Sequence, residues 1–384
     1  STMYDPHGCN VEMAARIKEN VRCAVSVVGG INSPDLAEKI IAAGKADFVV
    51  LGRQMIADPG FVSKASAGHG DLVRGCIRCM RCFPGPREEV TDEEKFEQVN
   101  QEGCSINPCY EFKQYLTHVP QAESPKKVLV VGGGAAGMQA AITASKRGHY
   151  VILVEKAGRL GGILNYAEND SDKGDLKQLA ETMAREAAFE KIEVRLHTEV
   201  DAALIKEVAP DVIIAAVGSS PLMPSIPGIE GKNVISALEA YAPDAVSGQT
   251  IVVLGGGMVG CETAVHLMKK GKDVTIVEML PQLAKGAYRL HKHKLRDLIQ
   301  QNIPFYLNTR CVEILENGVI VENENGRAFI PADTIVCAAG MKSNPIHELE
   351  ELAGDAVFKA IGDCVLPRNL YEAITEGFLA ALEI

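Results

Sequence analysis

KKVLVVGGGAAGMQAAITASKRGHYVILVEK (126–156) and TIVVLGGGMVGCETAVHLMKKGKDVTIVEM (250–279) are two versions of one pattern. Each opens with a β-branched apolar run, breaks at a glycine cluster, and continues through an Ala-rich stretch of helical composition. Each then breaks at a Gly-polar pair and closes with a second apolar run ending in Glu. The first glycine and the closing acid stand 23 residues apart in both copies, Gly132 to Glu155 and Gly255 to Glu278. The glycines have separate jobs. Gly132 and Gly255 permit a tight turn out of the strand, Gly134 and Gly257 let the backbone approach a pyrophosphate, and Gly137 and Gly260 let helix and strand pack closely. The pyrophosphate then faces unpaired N–H groups at a helix N-terminus, and Glu155 and Glu278 can each accept hydrogen bonds from a ribose. One such glycine motif is weak evidence; two in strand–turn–helix–strand context are strong. A 2′-phosphate would be repelled by Glu278, and Met279, Leu280 and Pro281 supply no cation, so NADH is favoured over NADPH. Lys285 and Arg289 in the following loop leave NADPH open.

The surrounding chain fits a soluble α/β protein. It has 384 residues, 47% of them hydrophobic and 23% charged, enough for several cores. A net charge of −11 without a basic run argues against nucleic acid as a partner. No apolar stretch reaches the length of a membrane helix, and STMYDPHGCN lacks a secretory signal. Eleven cysteines, odd in number and clustered, indicate a reducing, cytoplasmic compartment and metal or redox use for some of them. A homo-oligomer is allowed, and nothing in the sequence specifies it.

The cluster is VRGCIRCMRCFP (73–84), in which Cys76, Cys79 and Cys82 form CxxCxxC; Cys104 and Cys109 follow in EGCSINPCYEF. A CxxCxxC run with one remote cysteine is a common way to hold a [4Fe–4S] cube. A structural zinc would prefer two paired knuckles, and a dithiol motif would leave the third cysteine without a role. Both Cys104 and Cys109 qualify by spacing as the fourth ligand. The charged stretch 83–103 reads as a surface insertion with one short helix. Upstream, AVSVVGG and ADFVVLGR are predicted strands, joined by the helix SPDLAEKIIAAG and both ending in glycine. This suits the last two units of a (β/α)8 barrel, where phosphate sites form after strands seven and eight. Gly30, Gly52 and Arg53 would hold that phosphate through backbone N–H groups and a guanidinium. A whole barrel needs about 200 residues or more, so only its end is expected here.

The segments that accompany the two glycine turns differ. After the first turn's unit comes KAGRLGGIL (156–164), with Arg159 and the Gly161–Gly162 pair. Near the C-terminus AIGDC (360–364) sets Gly362 and Asp363 before a helix; Asp363 there can bind a polyol hydroxyl or cap the helix. GGGAAG, LGG, AAVGSSP (215–221), GGGMVGCE and AIGDC together resemble the two-dinucleotide flavoprotein reductases over residues 125–384. The resemblance implies FAD on Gly132, Gly134, Gly137, Glu155, Arg159, Gly162, Gly362 and Asp363. It implies a nicotinamide dinucleotide on Gly255, Gly257, Gly260, Glu262 and Glu278. Val217 stands where many relatives carry Thr. The CxxxxC and CxxC disulfides of such reductases are absent, so electrons must leave FAD by another route.

Over its whole length the chain resembles the C-terminal part of the NADH:flavin oxidoreductases of the old-yellow-enzyme class that carry a cluster and a reductase module. That class includes 2,4-dienoyl-CoA reductase, 2-enoate reductase and trimethylamine dehydrogenase. The resemblance implies an α/β chain of four parts. These are a barrel end with the FMN phosphate site (1–75), a cluster segment (76–120), an FAD domain (121–224 and 336–384) and, inserted in it, an NAD(H) domain (225–335). It assigns Gly30, Gly52 and Arg53 to FMN and Cys76, Cys79, Cys82 and Cys104 to the cluster. The gap to the fourth cysteine is longer than usual, which keeps Cys109 open. The implied route runs from NADH to FAD, cluster and FMN, for reduction of an activated C=C bond in an enoate or enoyl substrate. The acid/base residues of that reaction lie on barrel strands outside this sequence. Two other activities are open: an amine dehydrogenase of the trimethylamine dehydrogenase type, and an electron-transfer (diaphorase) module with no substrate site of its own.

Overall fold

The computed structural model describes residues 1–82, 103–116 and 118–384. Each glycine repeat is built on a five-stranded parallel sheet. The first sheet runs, edge to edge, Val357–Ala360, Val212–Ala215, Lys127–Val131, Tyr150–Val154 and Glu193–Arg195. The second runs Phe305–Tyr306, Asp273–Val277, Thr250–Leu254, Thr334–Cys337 and Val234–Ser236. Lys127 aligns with Tyr150 and Thr250 with Asp273, so the two repeats share register. Both central strands are largely apolar because both faces of each sheet are covered; Val128–Val130 and Val252–Val253 are buried.

The first sheet takes strands from both sides of the second in sequence: Val357–Ala360, near the chain end, pairs with Val212–Ala215. The chain crosses between the sheets twice, and the crossings pair antiparallel as Ser219–Pro221 with Met341–Ser343. An antiparallel meander, Arg310–Leu315, Gly318–Asn323 and Gly326–Pro331, closes one face of the second sheet over Val252, Leu254 and Ile335.

The helix Ala135–Lys146 comes after the first glycine turn and is small-residue rich for a reason. The C-terminal helix Leu370–Leu382 crosses it so closely that a Cβ on Gly377 would lie 2.3 Å from the Ala136 carbonyl oxygen.

The N-terminal part holds helix Val11–Lys18, helix Pro34–Ala42, and the short helices Arg53–Ala57 and Phe61–Ser66. Ser33 starts the second of these by accepting the Leu36 N–H, ahead of Pro34 at the first helical position. The two strands expected from sequence are short. Only Ser26–Val27 and Phe48–Val49 pair, in parallel, because each has a single neighbour. Their far sides are open to solvent: Phe48 is 61% exposed and Val28 52%. The stretch 83–103, read as an insertion with a helix, lies outside the described residues except for Gly103.

Candidate functional site

The two glycine turns repeat atom for atom in their essentials. Gly132 and Gly255 have φ of +107° and +110°, which favour glycine. A Cβ on Gly137 would lie 1.9 Å from the Gly132 carbonyl oxygen, and one on Gly260 1.9 Å from that of Gly255. Gly134 and Gly257 are different: no protein atom lies within 4 Å of the place a Cβ would take. They precede the helices Ala135–Lys146 and Met258–Lys269, with no side chain capping either one. The two open positions and the uncapped N–H groups form a cradle fitted to a pyrophosphate. Glu155 accepts the N–H groups of Gly133 and Ala157, each at 2.7 Å. Glu278 accepts those of Gly256 and of Leu280, the latter at 2.7 Å. An ionised carboxylate has about four acceptor positions, so each acid is oriented by its own turn and still has capacity for ribose hydroxyls.

Other expected residues fall around the first turn. Gly162 (φ +53°) presses against it, with a Cβ there 2.9 Å from Gly134 Cα. Asp363 accepts the Ser219 hydroxyl at 3.0 Å and the Arg368 N–H at 3.3 Å. The sequence suggested that Asp363 opens or caps a helix. Instead, Gly362–Cys364 is a separate 3-10 turn, and the next helix is capped by Asn369, which accepts the N–H groups of Tyr371 and Glu372. Arg159 is exposed and ion-paired with Glu168 at 2.7 Å.

Cys76, Cys79, Cys82 and Cys104 wall one small cavity with Ile77, Met80, Ser105 and Arg53; Cys109 is not on that wall. Burial pushes the Cys76 thiol up to about 11 and the Cys104 thiol up to about 12. Unliganded, these thiols stay protonated at neutral pH, and only a bound metal's charge would deprotonate them. Cys79 Sγ lies 3.2 Å from the Ser105 hydroxyl. Arg78 and Met80, between the cysteines, take φ of +54° and +69°, a conformation that turns the segment around the cavity.

Gly30, Gly52 and Arg53 gather at the ends of the two short N-terminal strands. A Cβ on Gly30 would lie 3.1 Å from the Ser1 hydroxyl, and Arg53 Nη2 is 3.3 Å from that same oxygen. Arg53 also reaches the cysteine cavity.

Glu262 lies in the helix Met258–Lys269 that follows the second glycine turn. Its buried carboxylate is ion-paired with Lys173 and accepts a hydrogen bond from His291 Nε2 at 2.8 Å. Burial would raise its pKa, but the Lys173 charge and the His291 hydrogen bond outweigh that and hold it down to about 2. Sequence reading also missed the arginines threaded through RGCIRCMRC. Arg74 is paired with Glu186, and Arg78 with Asp175 at 2.7 Å. Arg81 lies 3.4 Å from the centroid of the Tyr371 ring. All three are buried. The available signal was their interleaving with the cysteines, since buried arginines require partners.

The profile of the pyridine nucleotide-disulphide oxidoreductases matches residues 126–377, and that of the NADH:flavin oxidoreductase / NADH oxidase family residues 5–71. An NADH oxidase of Thermoanaerobacter brockii is 38% identical over 402 residues, covering 100% of this chain and 59% of its own length. A cinnamate reductase of Clostridium sporogenes is 31% identical over 387 residues, covering 100% of this chain and 56% of its own length. The structure of a 2-naphthoyl-CoA reductase superposes with a TM-score of 0.89 at 28% identity, over 100% of this chain and 57% of that one. The chain thus spans under three fifths of the length of these relatives. It is an oxidoreductase of the pyridine nucleotide-disulphide oxidoreductase family, of the kind that joins that flavoprotein module to an NADH:flavin oxidoreductase segment.

Proposed function

We propose that this chain is the electron-input part of an NADH-dependent ene-reductase. In this reading NADH docks at Gly255–Gly260 and Glu278. FAD lies at Gly132–Gly137, Glu155 and Asp363, and a [4Fe–4S] cluster among Cys76, Cys79, Cys82 and Cys104. When bound, FAD supplies a two-electron acceptor that can release electrons singly, the cluster a one-electron carrier, and FMN a hydride donor to an activated C=C bond.

The observation that carries the reading is the four-cysteine cavity in a chain with two dinucleotide cradles. A zinc ion would need four donors converging on one point. In a cubane each thiolate meets a different iron, so donors spread around a cavity suit it better. Cys104 is then the fourth ligand and Cys109 is not. The residues have further tasks. Glu278, held by its own turn, orients a ribose and disfavours a 2′-phosphate. Gly134 and Gly257 leave room for pyrophosphates. Ser219 fixes the Asp363 carboxylate. Gly30, Gly52 and Arg53 supply donors for the phosphate of FMN.

The names of two relatives, cinnamate reductase and 2-naphthoyl-CoA reductase, support an unsaturated acid or thioester as the substrate class. The complete second cradle favours NADH as donor over an amine. Since only residues 5–71 match the flavin oxidoreductase family, this chain alone is expected to act as a diaphorase. Loaded anaerobically with FAD, iron and sulfide, it should oxidise NADH with ferricyanide as acceptor and leave cinnamate untouched. Failure to oxidise NADH would contradict the reading; turnover of cinnamate would contradict its restriction to electron input.

A further inference from the structure

Glu262, His266 and Lys269 stand four and three residues apart, so they share one face of the helix Met258–Lys269. That helix starts from Gly257, on the second cradle. All three meet one short segment that follows the first repeat. Lys173 is ion-paired with Glu262. Asp170 Oδ1 lies 3.6 Å from His266 Nδ1. Asp172 accepts the Lys269 ammonium through both oxygens, at 2.7 and 2.6 Å. Asp170, Lys173, Glu262 and His266 are buried. The signs match at one register only: a slip of the helix by one turn would set His266 against Lys173 in place of Glu262. Aromatic rings pack beside the charges, with the Tyr166 centroid 4.8 Å from that of Tyr241 and the latter 4.6 Å from that of His266.

The same segment is tied to the first cradle. It runs on from the 3-10 helix Gly162–Asn169, whose first residue presses against Gly134. Asp170 fixes the turn that follows: its Oδ1 accepts the Asp172 N–H at 2.9 Å, and its carbonyl accepts the Lys173 N–H at 3.1 Å. Residues 162–173 therefore reach from one cradle to the helix that carries the other. We propose that they are a spacer between the cradles. Asp170, Asp172 and Lys173 are positioning residues that hold the helix Met258–Lys269, and the dinucleotide at its start, in place for hydride transfer. This rests on the cradles being the FAD and NADH sites. The transfer turns NADH and FAD into NAD+ and FADH−, and a misplacement of about 1 Å can slow such a step about a hundredfold. Complementary charges across a contact fix register more than they add affinity.

The test uses the outermost pair, where a reversed charge still reaches water: D172K, K269D and the exchanged D172K/K269D. Hydrogen exchange is read first, on the chain without cofactors. Residues 162–173 should exchange faster in each single variant and return to the wild-type rate in the exchanged one. Wild-type exchange in both singles overturns the inference. Anaerobic rapid mixing of the FAD-loaded chain with graded NADH is read second. The limiting rate of flavin bleaching should fall about tenfold in each single variant and recover in the exchanged one. The half-saturating NADH concentration should stay within about twofold of wild type, because the cradle itself is untouched. Weaker NADH binding with an unchanged limiting rate overturns the inference. So does an exchanged variant whose loss is the product of the two single losses, since the pair would then not be coupled. D172N removes the attraction without adding a repulsion and decides the matter if a reversal fails to fold: a lower limiting rate supports the spacer, and a wild-type rate overturns it. Absence of bleaching in wild type overturns the reading of the cradles themselves, before any variant is compared.

Discussion

A methyl group would act differently at Gly260 and at Gly257, although they stand three residues apart on one turn. At Gly260 it would lie 1.9 Å from the Gly255 carbonyl, backbone against backbone, with nothing able to yield. Gly260→Ala is expected to cost about 1–3 kcal/mol of stability, seen as a lower Tm without ligand. At Gly257 the methyl would meet no protein atom within 4 Å. Gly257→Ala should melt like wild type while NADH binding weakens about tenfold, equivalent to about 1.4 kcal/mol, in a calorimetric titration. Normal NADH affinity in Gly257→Ala would remove the cradle from the account. These residues were legible in the sequence because their constraint is local: strand, turn and helix within one short segment fix what each glycine must do. Glu262 was not legible in the same way. It belongs to the same motif, but its partners Lys173 and His291 stand far from it in sequence, and no periodicity announces a long-range ion pair. Arg53 likewise reads as a phosphate ligand from its strand-end glycine, and only the folded chain brings it to the cysteines.

At the scale of elements, the helix Gly174–Phe189 connects the parts. Asp175 in its first turn holds Arg78, and Glu186 in its last holds Arg74, so the cysteine segment is fastened along its length. Lys173, just before it, is bound to Glu262 of the second repeat. These pairs are not legible in the sequence of the helix, because charge partners on other elements leave no trace in composition. Breaking a buried pair on one side strands the other charge, at about 3–5 kcal/mol. Glu262→Gln and Lys173→Met should each destabilise by that order in denaturant melts. The double variant should lose less than the sum of the two; strict additivity would show that the two side chains do not interact. The pair also sets a pH window. Glu262 is held down to about 2 from an ordinary 4.5, so its contribution is complete above pH 4.5 and is lost as pH falls toward 2. In Glu262→Gln that part of the acid transition should flatten. An unchanged acid limb would mean that other carboxylates carry it.

At the scale of the molecule, the first sheet is completed only when residues beyond the second return as Val357–Ala360 and bring Asp363 with them. The doubled glycine pattern made this architecture readable, since two strand–turn–helix–strand units predict two parallel sheets. The N-terminal part was less readable. Its expected strands pair over two residues each and leave Phe48 and Val50 exposed, because strand length depends on neighbours as well as on β-branched composition. No helix among the described residues is long and apolar enough to cross a membrane. The proposed function joins the parts as a route from one dinucleotide cradle to the other and on to the cysteine cavity. The most direct measurement of that route is anaerobic mixing of the reconstituted chain with NADH, tracking flavin absorbance and, in rapidly frozen samples, the EPR signal of a reduced cluster. The account predicts flavin bleaching first and the cluster signal after it, with Cys104→Ser bleaching normally but giving no such signal. Bleaching without a cluster signal in wild type, or a signal unchanged by Cys104→Ser, would contradict it.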